Sequence, residues 1–138
     1  MNVKEAVEKG MLRKEKADRN LIEKELQEAR YDLKKAEQNL KEDDIKWSTV
    51  QSYYAMFHAA RALLFKDDYR EKSHAGLKIF LEEMVSEGRL ESMYLDDFRA
   101  AANARESADY HYSYSSETAK MLLNSAKEFV AKASKMVK

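Results

Sequence analysis

Ile22, Leu26, Ala29, Leu33, Ala36 and Leu40 fall alternately four and three residues apart, with charged residues between them. This stripe predicts a helix packed lengthwise against others. Asp43 and Asp44 then offer caps for a new helix. The stretch "IKWSTVQSYYAMFHAARALLF", residues 45–65, is the most apolar and aromatic part of the chain. Tyr53, Phe57, Ala60 and Leu64 make one stripe, and Trp47, Val50, Tyr54 and Leu63 widen it, so this helix is expected at the centre of a bundle. "KDDYREKSH" has no apolar period and reads as a connection, with Ser73 capping the helix that follows. Leu77, Phe80, Leu81, Met84 and Val85 mark that helix, and Gly88 closes it.

Residues 91–106 predict another helix through Met93, Leu95, Phe98 and Ala102. A last one runs from about Ser116, with Leu122, Ala126, Phe129, Ala133 and Val137 in register. At the start, Val3, Val7 and Met11 suggest a short, loosely packed helix within residues 1–18. The fold class is therefore all-α: one domain, 1–138, forming an antiparallel bundle of about five to six helices.

Composition supports this. The chain has no proline and only three glycines, Gly10, Gly76 and Gly88, which favours uninterrupted helices over the many turns of a β fold. It has no cysteine, so thiolate catalysis, disulfides and cysteine-based zinc sites are excluded, and a reducing cytoplasm is the expected setting. No stretch approaches the ~20 apolar residues of a membrane span, and the N-terminus lacks a signal-peptide run. The 25 basic and 25 acidic residues cancel. Any RNA contact must then be local or shared between subunits.

Familiar catalytic signatures are missing, and His58, His74 and His111 are too scattered for a metal pattern; no cofactor is expected. Two polar constellations remain. Arg105 and Asp109, four apart, share a helix face, and Tyr110 and His111 follow. On a straight helix His111 would lie ~240° round from Arg105. The pair converges only if the helix bends or ends near Asp109, or if two subunits meet. The bland alternative is an ion pair at an interhelical corner. In the central helix, Tyr54, His58 and Arg61 form a polar stripe, either a satisfied buried network or the lining of the same cleft. Lys72 and His74, near a helix start, are a weaker anion-binding pair.

"SYYAMFHAARALLF" (52–65), "KSHAGLKIFLEEMV" (72–85), "RESADYH" (105–111) and a closing "AKEFVAKA", in that order, resemble the HEPN domain, and in particular its small stand-alone members. The resemblance implies a helical bundle that homodimerises. It also implies a metal-independent ribonuclease of toxin–antitoxin type, whose arginine is followed after four to six residues by histidine. Arg105 and His111 fit that allowance. His111 would then exchange protons at the ribose 2′-hydroxyl, an imidazole's ordinary pKa of about 6.5 suiting the task. Arg105 would hold the scissile phosphate. Tyr54, His58, Arg61, Asp109 and Tyr110 are the accompanying binding candidates. The resemblance further implies a minimal nucleotidyltransferase as antitoxin partner. In some pairs that partner modifies a tyrosine two positions after the motif histidine, a spacing that neither Tyr112 nor Tyr114 meets. Within the subgroup the stretch is often only arginine followed by "ADY", so His111 is either functional or incidental. Three readings stay open: a ribonuclease, a non-catalytic module binding a nucleotide or the partner nucleotidyltransferase, and a structural interaction bundle.

Overall fold

In the computed structural model, which describes residues 1–138, six helices and one small two-stranded sheet follow the order α1 (Val3–Glu8), β1 (Leu12–Lys14), α2 (Arg19–Lys41), α3 (Ile45–Lys66), β2 (Tyr69–Glu71), α4 (His74–Ser86), α5 (Ser92–Tyr110) and α6 (Ser116–Met136). The all-α bundle expected from the apolar periodicity is the fold observed.

The long helices begin where side-chain oxygens cap them. Asp18 accepts from Leu21 N, Asp44 from Trp47 N, Ser73 from Gly76 N and Ser115 from Thr118 N, each satisfying a backbone donor that lacks a partner within the helix. Between α2 and α3, Asp43 adopts φ 63° and Asp44 N bonds back to Asn39 O at 2.8 Å. This reverses the chain and lays the two helices side by side. Ser48 Oγ donates to Ala36 O at 2.8 Å across their buried seam.

α3 is the axis of the molecule, packing against α2, α4, α5, α6 and β2. Thirteen of its side chains are buried, among them Ala55, Ala59, Ala60 and Ala62 with no exposure at all. Small residues on several faces let several neighbours approach closely. Phe129 of α6 is buried and packs edgewise or tilted against Tyr94 and Phe98 of α5, tying these two helices together. Leu122, Ala126, Ala133 and Val137 are buried with it. Trp47 and Met93, expected inside, are instead each 47% exposed. Both sit in the first turn of their helix, where the flanking elements no longer cover the surface.

The N-terminal segment differs from expectation. It is not one loose helix. α1 ends at Glu8, Gly10 (φ 75°) turns the chain, and β1 pairs antiparallel with β2, Leu12 opposite Glu71 and Lys14 opposite Tyr69. Val3, Ala6 and Leu12 are buried in the main core. Gly76 makes this docking feasible: a Cβ there would lie 2.2 Å from Met11 O. The stretch read as a connection therefore contains β2. Three-residue strands are too short to show alternation, and their pairing is fixed by main-chain bonds such as Lys72 N to Met11 O at 2.9 Å.

Candidate functional site

The central helix carries two adjacent tyrosines that both border one arginine. α5 passes α3 so that Arg105 Nη2 donates to Tyr54 Oη at 3.1 Å. The guanidinium carbon lies 5.5, 5.6 and 5.8 Å from the ring centres of Tyr53, Tyr54 and Tyr110. A planar, weakly hydrated cation is well suited to such aromatic walls. Asp109, one turn on, approaches Nε at 3.6 Å, and that buried nitrogen has no hydrogen-bond partner. The ion pair is therefore loose, and part of the arginine's donor fork is unused. Burial works against its charge, but the Tyr54 hydrogen bond and the tyrosine oxygens outweigh this and raise its pKa above the ordinary guanidinium value.

Beside Arg105 a pocket of about 230 Å³ opens between α3, α4 and α5. Tyr53, His74, Lys78, Asn103, Arg105 and Glu106 supply its polar lining. Burial pushes the Tyr53 phenol up to about 12, against the nearby Arg105 charge, so it is a neutral hydroxyl across the physiological range. Its oxygen lies 2.9 Å from His74 Nδ1. The three segments "SYY", "KSHAGL" and "RESADY" thus converge on one place.

His111 does not join them. α5 runs on to Tyr110, and His111 is its C-terminal cap, exposed, with its backbone N–H bonded to Ser107 O. Within one chain the helix neither bends nor ends early enough to bring His111 round to Arg105. Tyr110 is 65% exposed yet covers one side of the guanidinium.

The second constellation divides. Tyr54 belongs to the Arg105 site, whereas His58 and Arg61 turn toward α2. Glu25 joins both, with Oε2 2.7 Å from His58 Nδ1 and Oε1 3.0 Å from Arg61 Nη1. Glu71 of β2 lies 2.8 Å from Arg61 Nε, and Asp32 3.7 Å from His58 Nε2. The two carboxylates occupy opposite nitrogens of the imidazole and so do not converge on a common point. This is a partly buried charge network that links α2, α3 and β2. Burial raises the Asp32 carboxyl to about 6, with His58 lowering it and Glu28 raising it further.

Two features escaped the sequence reading. His74 was visible only as half of a weak basic pair, and Tyr53 only as part of an apolar stripe; nothing in the spacing linked them to Arg105. Lys46 was not singled out, yet its ammonium lies 5.3 Å from the Trp47 ring and 5.8 Å from Tyr112, both exposed. A larger hollow of about 430 Å³ lies near the N-terminus. Two of its polar groups are engaged: Glu83 accepts from Val3 N, and Lys14 lies over Tyr69.

No helix is long and apolar enough to cross a membrane. Among curated proteins, the chain is 34% identical over 93 residues to the "Putative toxin MJ0605" of Methanocaldococcus jannaschii, covering 66% of this chain and 69% of that protein. It is 28% identical over 117 residues to the "Putative toxin MJ0142" of the same organism, covering 83% and 80%. Residues 22–136, from the first turn of α2 to the last of α6, match the family model of the HEPN domain. The chain that builds this bundle and brings Tyr53, His74 and Arg105 to one pocket is a member of the HEPN domain family.

Proposed function

We propose that this protein is a toxin-type HEPN ribonuclease that cleaves RNA without a metal ion, with Arg105 holding the scissile phosphate. It works as a homodimer in the cytoplasm, held in check by a minimal nucleotidyltransferase. Two relatives named as toxins, one spanning most of the chain, support the toxin side of this reading. The observation that carries the chemistry is the state of Arg105. A cation backed by three tyrosine rings, loosely paired and with donors to spare, stands at the wall of an open pocket. Such a fork matches phosphate geometry and can offset charge developing on a phosphorane. A homodimer would double this positive feature, which the balanced net charge otherwise dilutes.

The exposed position of His111 favours a second reading. A HEPN module that binds a nucleotide, or the partner nucleotidyltransferase, through the same pocket needs Arg105 but no histidine at position 111.

Cleavage of a mixed RNA pool by the purified protein in chelator, beside Arg105→Ala, separates the two. The ribonuclease reading expects cleavage that the substitution abolishes. Nucleotide binding that depends on Arg105, with no cleavage by the wild type, would establish the second reading instead.

A further inference from the structure

The pocket beside Arg105 contains a histidine, and it is not the one the motif spacing supplies. His74 opens α4, directly after its cap Ser73. Its ring stacks on Phe57, with centroids 4.8 Å apart and planes at 25°, and its Nδ1 lies 2.9 Å from Tyr53 Oη. Tyr53 is itself buried and lies beneath the Arg105 guanidinium at 5.5 Å. One fixed phenol therefore sets the position of both the imidazole and the cation. The only side-chain hydrogen bond His74 makes uses Nδ1, which leaves Nε2 for a ligand. Lys78, one turn further along α4, adds a second cation to the pocket lining, and Glu106 is the one acid there.

We propose that His74, held by Tyr53, and Arg105 form one phosphodiester-binding pair in the α3–α4–α5 pocket, and that His74 Nε2, rather than His111, moves the proton in RNA cleavage. This rests on the ribonuclease reading for its chemical half. In the tautomer this step uses, Nδ1–H donates to Tyr53 Oη and the Nε2 lone pair is available. It takes the proton of the ribose 2′-hydroxyl as that oxygen forms a bond to phosphorus. The bond from phosphorus to the 5′-oxygen breaks with its electron pair, and the leaving oxygen takes a proton from solvent water. A 2′,3′-cyclic phosphate and a 5′-hydroxyl result, and the imidazolium returns its proton to solvent. Arg105 bridges the non-bridging oxygens, where negative charge accumulates.

The deciding experiment is histidine-ring NMR of the full-length protein titrated with a 2′-O-methyl oligoribonucleotide, which binds but cannot be cleaved. The expected result is a shift of the His74 Nε2 resonance, none of His111, and loss of the shift in Arg105→Ala. A shift of His111 with His74 unmoved overturns the binding pair. For the chemistry, His74→Gln should lower cleavage at least about 100-fold, the usual contribution of a positioned acid or base. The same variant should also weaken binding of the 2′-O-methyl strand, but by far less than it lowers cleavage. His111→Gln should cleave normally. Tyr53→Phe removes a positioning group, and should displace the pH profile of cleavage while leaving the uncleavable strand bound. Because His74 is exposed, His74→Gln is expected to fold, which circular dichroism verifies. Normal cleavage by His74→Gln with loss in His111→Gln overturns the proton-transfer role. No cleavage by any form, with the His74 shift present, removes the ribonuclease reading and that role together and leaves the binding pair standing.

Discussion

Tyr54 Oη accepts a hydrogen bond from Arg105 Nη2 at 3.1 Å, and this is the one polar tie between α3 and the last turns of α5. Removing the oxygen while keeping the ring isolates its contribution. Tyr54→Phe is expected to cost about 1 kcal/mol of stability, the net value of one partly buried hydrogen bond. It should also weaken RNA binding about three- to tenfold, since the guanidinium is then free to swing toward Asp109. Urea melts and filter binding measure the two effects; unchanged affinity would mean that the aromatic walls alone position Arg105.

Arg105→Lys keeps the charge and loses the fork. An ammonium cannot bond Tyr54 and a phosphate while stacking against three rings, so binding should fall nearly as far as in Arg105→Ala. Because Arg105 and Lys78 are the two cations of the pocket, the salt dependence should be shallow. For single-stranded RNA, two neutralised phosphates correspond to a slope of log affinity against log salt of about −1.4. A much steeper slope would show that the main contact surface lies elsewhere.

Asp32 should make the protein less stable as pH rises through weak acid. Its carboxyl, raised from 3.8 to about 6 by burial, holds a proton in the folded state that the unfolded chain releases. The resulting stabilisation is complete below pH 3.8 and lost as pH passes about 6. Asp32→Asn removes the ionisation. Denaturation midpoints should then vary less between pH 4 and 6, and stability at pH 8 should rise on the order of 1 kcal/mol, the full shift being discounted for solvent screening. A fall in stability at pH 8 would mean that attraction to His58 outweighs the burial cost.

Gly76→Ala tests how β1 is held. The new methyl would sit 2.2 Å from Met11 O, and that carbonyl also accepts from Lys72 N. Relief requires backbone movement, so a loss of about 2–3 kcal/mol is expected. Tryptic cleavage after Arg13 and Lys14 should accelerate. Equal protease resistance in both proteins would show that β1 docks without this close approach.

The parts of the fold that bury long apolar stripes were legible in the sequence. α2, α4 and α6 follow their heptad-like spacing, and the caps Asp44 and Ser73 stand where the polar residues suggested. The β1–β2 pairing was not legible, because main-chain bonds between segments far apart in sequence leave no periodic trace. The site was half legible. Arg105 and Asp109 share a face, as four-residue spacing requires, and Tyr54 meets them. His58 and Arg61 seemed equally able to join, but the rotation of α3 sends them to Glu25 instead. Tyr53 looked like core and is core at 3% exposure; only its hydroxyl, 2.9 Å from His74, serves the pocket. One residue does both, and a hydrophobic pattern reports only the first.

The close seat of Met11 against Gly76 also orders events in time. Contacts near in sequence form before those that must close a long loop. The α2–α3 hairpin is local, whereas Leu12 must find Glu71 across the whole of it. β1 is therefore expected among the last elements to dock, and the segment it then clasps, from Lys72 to Gly76, carries His74. His74, 21 residues from Tyr53, can meet that phenol early, but the segment that carries it gains its outer clasp only when β1 docks.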